Sequence, residues 1–506
     1  MSMAWPWCSL GCATSGTEQM AALRIVIILT LLSSPALAVQ IHAGQDVQSA
    51  INSASPGDVL ILGAGEHRPF VVDRPLTLIG DGAFIRSDVQ SPAITVRSDN
   101  VRIEGFSIAG VKRPSEEKFR YYMERYQGGA SGGASRVSTP AKSTGNLRLD
   151  LPNAAVLVFG SNVTLEKMSV RDAEVGVFAE GLDDLLINES TFQSCKTGVL
   201  IIRASNVIVG NTGLIGCEKA GLNASNSRSF TVSGCSAINN THAGLFFRNC
   251  EDIDVIDNTL RGNSEGLVFW GTNHSSATGN RADQNYYGIL LADSHNNTIS
   301  RNILVNNRRS EIVSGFGVGM SIQANSSYNL VFKNTASNNY NGLEITENCQ
   351  RNALCGNNIS RNTHGVRLDK NWNNLIYRNN FVDNVISGYD NQTKSIWNTT
   401  VGNYYSDYRG SDDDGDGIGD VPYAIPKGSS VATDYRPLVM PFTGEIDPDE
   451  ILEDIKRYAR YNPEEGSTIR VDESGATIKY AARRAPPVFE ENTNTVVERP
   501  PFTPVL

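Results

Sequence analysis

The residues best suited to chemistry gather in Asp412-Asp413-Asp414-Gly415-Asp416-Gly417-Ile418-Gly419-Asp420. Carboxylates at Asp412, Asp414, Asp416 and Asp420, with Gly417 to turn the chain, match the first half of a calcium loop. Side chains so crowded repel one another unless a hard cation neutralises them, so Ca2+ in a structural role is the expected cofactor. The twelfth place of an EF-hand falls on Tyr423, so the loop is no complete EF-hand.

A second set is dispersed along the chain but periodic. Phe246, Arg248, Trp270, Gln323, Glu344 and Arg367 lie two or four residues beyond recurring glycines. Together they make a strip that begins aromatic and ends charged, suited to binding a polysaccharide or cell-surface glycan lengthwise. For its apolar members Phe246, Val268 and Leu290 the preferred expectation is a secondary core beneath an insertion or the tail helix. Glu344, Arg367 and Asp369 are the catalytic candidates, since glycoside hydrolysis needs two facing carboxylates about 5–9.5 Å apart. The same trio also makes an ordinary surface ion network. His242 and His364 read as turn residues beside repeat glycines. Six scattered histidines and the absence of a Cys-x-x-Cys pair make a copper cluster or a structural zinc site unexpected.

A repeat must position these side chains. Gly176, Gly198, Gly221, Gly244, Gly266, Gly288, Gly319, Gly342 and Gly365 each precede an alternating apolar run, at intervals of 22, 23, 23, 22, 22, 31, 23 and 23 residues. Within several units two asparagines recur five apart, as in Asn258/Asn263, Asn302/Asn307 and Asn379/Asn384. Each unit reads as two or three short strands separated by turns. Such strands cannot pair within one unit, but they can pair with the same strand of the next unit about 4.8 Å away. Alternation then sends Leu267 and Phe269, or Leu343 and Ile345, inward. Asparagine suits the turns because it tolerates the left-handed region and its amides can stack as a ladder. The expected fold is all-β, a right-handed parallel β-helix, with an N-terminal capping helix over Val47–Ala54 and a small irregular α+β tail.

The ends and interruptions complete the organisation. Arg24, the apolar run Ile25–Leu32 and Ala36-Leu37-Ala38 make residues 1–38 a secretory signal peptide, with Met20 as the true start. No later segment is apolar enough to span a bilayer, so export without a transmembrane anchor is expected. Residues 39–111 hold the cap and first coils, 112–146 a charged and Gly/Ser-rich flexible insertion, 147–402 the repeats, 403–443 the acidic end cap and 444–506 a charged tail. The long interval places about nine extra residues near Arg308-Arg309 as a projecting loop. In the tail, Asp447-Pro448-Asp449-Glu450 starts a helix, Ile469–Val471 and Ile478–Tyr480 read as a hairpin, and the Pro-rich end from Pro486 reads as disordered. Outside the cell disulfides are allowed, and Cys195/Cys217 and Cys349/Cys355 are the candidate pairs. The formal net charge of −10, without a basic run, excludes nucleic acid as the main partner. Ten Asn-x-Ser/Thr sequons follow from the composition of an Asn- and Thr-rich repeat.

Residues 41–110, with Asp46-Val47-Gln48-Ser49-Ala50-Ile51, Pro56-Gly57-Asp58-Val59 and Leu76–Gly82, resemble the start of pectate-lyase-like β-helix proteins. The repeats, with Asn403–Tyr408, Asp414–Tyr423 and Asp434–Leu438, resemble the NosD-like family across roughly 41–442. The resemblance implies a pectin-lyase-like solenoid in an exported, archaeal-type surface protein. A copper-maturation role is its second functional implication, with no copper ligands to carry over. The leading expectation is a non-catalytic carbohydrate-binding or structural protein, and the alternative a polysaccharide lyase, hydrolase or epimerase.

Overall fold

The computed structural model describes residues 38–86, 92–109, 153–307 and 316–459, together with the backbone of 469–471 and 477–479. The expected signal peptide, the 112–146 insertion, the loop about Arg308 and the Pro-rich end lie outside these, except that Ala38 opens the first strand.

Three parallel sheets run the length of the chain, and each coil contributes one short strand to each. Sheet A has fifteen strands, from Ala38–Ile41 to Lys394–Ile396; sheet B has fourteen, from Gly65–His67 to Tyr404–Tyr405; sheet C has thirteen, from Phe70–Val72 to Ile386–Asn391. This is the parallel β-helix expected from the repeat. The interval of 31 residues leaves the register intact, for Leu290 pairs with Ser321 and Ser321 with Glu344. The extra residues fall in sequence between Ile303–Val305 of sheet B and Val318–Gln323 of sheet C.

The glycine column has a steric cause. A Cβ at Gly244 would stand 2.7 Å from the carbonyl oxygen of Gly266, and one at Gly342 would stand 2.6 Å from that of Gly365. Consecutive coils approach too closely at this corner for any side chain. Beyond it, Leu245, Phe247, Leu267 and Phe269 turn into a continuous core, where Phe230, Phe247 and Phe269 meet edge to face at 5.5 and 5.8 Å.

The asparagines form ladders. Asn258, Asn280, Asn302, Asn334, Asn357, Asn379 and Asn403 stack at the corner between sheets A and B, five residues before a second column at Asn263, Asn285, Asn307, Asn339, Asn362 and Asn384. Asn302 is typical: Nδ2 donates to Ala277 O at 2.9 Å and to Asn334 Oδ1 at 2.9 Å, while its own Oδ1 accepts from Asn280 N and Nδ2. Each rung thus satisfies buried backbone groups that the turn leaves unpaired. The left-handed residue is the one before the rung, such as Asp257, Arg301 or Asn306, rather than the rung itself.

This arrangement corrects the disulfide expectation. All six described cysteines are buried thiols. Three of them hold turn positions like those of the ladders: Cys217 and Cys235 receive Asn240 and Asn258 as their next rungs, at 2.9 and 2.8 Å, and Cys235 and Cys250 direct sulfur at Val209 O and Ala224 O of the preceding coil. Cys195 and Cys217 do stack on neighbouring coils, as thiols. Cys349 and Cys355 cannot close a local loop, because Cys349 faces the coil interior and Cys355 faces outward beneath the tail helix.

Helix α1 (Val47–Ser53), capped by Asp46, buries Val47 and Ile51 in the core beside the first coils. Helix α2 (Pro448–Tyr458), capped by Asp447, lays Ile451, Ile455 and Tyr458 on Leu330, Phe332, Leu375 and Tyr377 of sheet A. Arg378–Glu450 at 2.8 Å and Lys333–Glu445 at 2.6 Å pin the same segment. The tail helix therefore covers sheet A and leaves the sheet C strip to other cover. The tail hairpin forms antiparallel between Ile469–Val471 and Thr477–Lys479, one residue from its expected place.

Candidate functional site

Stacking brings the dispersed strip together on the outer face of sheet C. Phe246, Val268, Leu290, Ser321, Glu344, Arg367 and Tyr389 occupy one column, each paired with the next coil's member. Arg248, Trp270, Ala292 and Gln323 form a parallel column, continued by Asp369 and Asn391. The two halves differ in character. Phe246, Val268 and Leu290 are 4, 2 and 0% exposed and cluster with Ala220 and Ala243, with Trp270 and Tyr287 packed against them. Phe246 is thus core rather than a ligand contact, because its face is covered. Arg248 and Trp270 are half-buried at the edge of this cluster, and burial lowers the Arg248 pKa.

The polar half carries the chemistry. Glu344 Oε1 accepts from Ser321 Oγ at 3.1 Å; Glu344 Oε2 accepts from Asn341 Nδ2 at 2.6 Å and from Arg367 Nη1 at 3.2 Å. Arg367 Nη2 donates to Asp369 Oδ2 at 3.2 Å, and Asn391 Nδ2 donates to Asp369 Oδ1 at 2.9 Å. One guanidinium bridges both candidate carboxylates. The expected ion network is what forms.

Sequence reasoning missed the residues around it. Phe316, Tyr340, His364 and Tyr389 meet edge to face at 4.5, 5.2 and 5.8 Å, a continuous row of rings beside the network. Arg367 also lies over the Tyr389 ring, 5.5 Å from its centre. His364 Nδ1 is 3.0 Å from Asn341 Oδ1. A carboxylate only accepts, so the Asn341 amide nitrogen must face Glu344 and its oxygen must face the ring. That order puts the proton on His364 Nδ1 and leaves Nε2 an acceptor. Burial first, and the Arg367 charge second, lower the His364 pKa and favour neutral imidazole. The available signal was the repeat itself, since Asn341 and His364 are 23 apart, the same step as Glu344 to Arg367.

The acidic loop is a separate place. Asp412, Asp414 and Asp416 bring carboxylate oxygens within 4.8 Å of one another. Asp420 is not among them; its Oδ2 accepts from Ser411 Oγ at 3.1 Å and Asp413 N at 2.8 Å and closes the loop base. Tyr423, at the EF-hand's last place, instead stacks on Tyr405 at 3.7 Å and donates to Asp407.

With this geometry in place the comparisons are decisive about family. The family described as "Periplasmic copper-binding protein (NosD)" matches residues 133–270 and 206–410, which together span 278 of 506 residues. The chain belongs to the NosD family. Among solved structures, the NosD-family chain is similar to the Azotobacter vinelandii mannuronan C-5 epimerase AlgE6 A-module, at 13% identity and TM-score 0.48, over 69% of this chain and 94% of that one. It is also similar to the periplasmic alginate epimerase AlgG, at 15% identity and TM-score 0.41, over 71% and 85%. A third is DFA-IIIase from Arthrobacter chlorophenolicus A6, at 13% identity and TM-score 0.42, over 67% and 94%. At these identities the likeness is one of fold. No curated protein sequence matches.

The NosD description raises copper, and the donor set of this member does not fit it. All six histidines lie among the described residues, yet the only convergence there of three His, Cys, Asp or Glu ligand atoms is the all-oxygen Asp412/Asp414/Asp416 group. Oxygen donors suit hard cations, whereas copper takes imidazole and sulfur. The neighbouring His274 and His295 are engaged, with His274 Nδ1 on Glu251 at 3.0 Å and His295 Nδ1 accepting from Ser327 N at 3.2 Å. The cysteines lie in the solenoid wall, where burial pushes Cys235 up to about 11 and Cys250 up to about 12.

Proposed function

We propose that this NosD-family protein is an exported, non-catalytic β-helix that binds an uncharged polysaccharide lengthwise along the polar half of sheet C. The observation that carries the reading is the row Phe316–Tyr340–His364–Tyr389 beside a guanidinium already held by two carboxylates. Aromatic rings give apolar faces to sugar rings, and tyrosine hydroxyls, imidazole Nε2 and the remaining Arg367 donors give partners to sugar hydroxyls. Glu344, Arg367 and Asp369 sum to one negative charge, and His364 adds none. Arg367 is already held by two carboxylates and the network is negative overall, so its charge pattern favours a neutral glycan over an acidic one. Export is supported by the periplasmic description of the family, and no helix among the described residues is long and apolar enough to cross a membrane.

Ca2+ at Asp412, Asp414 and Asp416 is proposed alongside, as a clamp on the end-cap loop. Two backbone N–H groups already fold that loop around Asp412, from Gly415 at 2.9 Å and Gly417 at 3.0 Å. Asp414 Oδ1 and Asp416 Oδ1 likewise accept from Asp416 N at 3.2 Å and Ile418 N at 2.7 Å, and Oδ2 of each is left toward a cation that takes six to eight oxygen ligands.

Affinity electrophoresis in gels containing xylan, glucomannan, alginate or polygalacturonate tests the binding reading. Retardation by a neutral polymer, largely insensitive to salt and weakened by Arg367→Ala, is the expected result. Retardation only by the acidic polymers, falling steeply with salt, contradicts the neutral class; no retardation in any gel contradicts the glycan reading.

A further inference from the structure

A cavity of about 300 Å³ lies at the C-terminal end of the solenoid, beginning at Asp390, next in sequence to Tyr389 of the strip described above. Three segments form it: the last coil about Thr393–Asn398, the end-cap loop Ser430–Tyr435, and Tyr458 at the end of α2. The loop is strapped to the coil, with Thr393 N donating to Ser430 Oγ at 2.9 Å and Tyr435 N donating to Asn398 Oδ1 at 3.1 Å. The walls are thus held by hydrogen bonds on two sides.

The lining is hydroxyl-rich. Thr393, Ser395, Ser430 and Thr433 each bring a group that donates once and accepts twice, so capacity remains after the internal bonds are counted. The Tyr458 hydroxyl is buried and has no hydrogen-bond partner among the described residues. The Asp390 carboxylate is engaged, accepting from Thr393 Oγ1 and, at 2.7 Å, from Trp397 Nε1. Tyr435 is 47% exposed and supplies an aromatic ring at the rim. Convergent donors and acceptors, one exposed ring and the volume of a small ring compound fit a ligand rich in hydroxyls.

We propose that this cavity is a second binding site, taking one sugar residue, independent of the polymer strip on sheet C. Sugar hydroxyls replace water against the Thr and Ser groups. The sugar ring lies against Tyr435.

Saturation-transfer NMR of the mature protein with methyl glucoside, methyl galactoside and methyl mannoside as probes tests the site. At least one glycoside is expected to receive saturation, with a Kd of roughly millimolar, the range a dozen heavy atoms allow. Thr433→Phe, which fills the space, is expected to weaken binding about tenfold or more. Tyr435→Ala, a surface change, gives the same readout if Thr433→Phe does not fold. Arg367→Ala leaves the effect intact, which separates this site from the strip. No saturation of any glycoside, or saturation unchanged in Thr433→Phe and Tyr435→Ala, overturns the proposal without touching polymer binding at sheet C.

Discussion

Asn403 hands the last rung of an asparagine ladder to Asp434. Its backbone N–H and its Nδ2 both donate to Asp434 Oδ2, at 2.7 and 3.1 Å, where every earlier rung donates to the next asparagine. Tyr405 OH donates to the same oxygen at 3.2 Å, and Arg436 N donates to Oδ1 at 3.0 Å. A fully buried carboxyl therefore ends the column and fastens the end cap to the last coil. Burial outweighs these donors and raises its pKa to about 7.

That shift makes stability depend on pH in a defined direction. The folded state holds a proton on Asp434 that the unfolded chain releases above the ordinary carboxyl range near 4. The contribution is full below that value and is lost as pH rises through about 7, by about 4 kcal/mol at most. Thermal unfolding at pH 5 and pH 8 checks it: the wild type is expected to lose more stability than Asp434→Asn over that interval. An equal loss in both proteins contradicts the assignment.

Mid-ladder rungs are expected to be less replaceable than the last ones. Asn302→Ala removes two donated and two accepted bonds in a place with no solvent exposure, so it should cost about 2–4 kcal/mol. Asn384→Ala, at a half-buried rung, should cost under half as much. Denaturant unfolding of the two variants provides the comparison, and equal losses would show that the ladder is decorative.

How much of this was legible follows from where each signal originates. The glycine and asparagine columns were visible because each answers a demand repeated at every coil, carbonyl crowding at one corner and unpaired backbone groups at the others. The capping of α2 was visible because Asp447 acts within two residues of itself. Cys349 and Cys355 misled because separation along the chain says nothing about which side of a wall a side chain faces. The surface covered by α2 was equally hidden, since an amphipathic helix specifies its apolar face and not the partner. His364 looked like a turn residue because Asn341, which fixes its tautomer, stands one coil away. Reading every residue against its partner 22 or 23 positions on would have found it.

Calcium at the acidic loop is expected to raise the unfolding temperature by a few degrees at millimolar Ca2+, an effect reversed by chelator. Asp414→Asn should abolish the increment while leaving the calcium-free protein unchanged. Copper(II) should produce no comparable stoichiometric stabilisation. Scanning calorimetry with each ion decides, and equal increments in wild type and Asp414→Asn would remove the loop as the site.

The Glu344–Asn341–His364 order should be visible directly. Nitrogen NMR of the His364 ring is expected to show the Nδ1–H tautomer at neutral pH, with a titration below the ordinary histidine range. Asn341→Leu should release the tautomer while the core residues Leu343 and Ile345 stay in place.

In the proposed complex a neutral glycan lies along the polar half of sheet C. Hydrogen–deuterium exchange of the protein, with and without a soluble neutral oligosaccharide that retards it in gels, is the direct test. Protection confined to the strands around Ser321, Glu344, Arg367 and Tyr389 is the predicted result. Protection on sheet A or B alone, with those four strands unchanged, would contradict it.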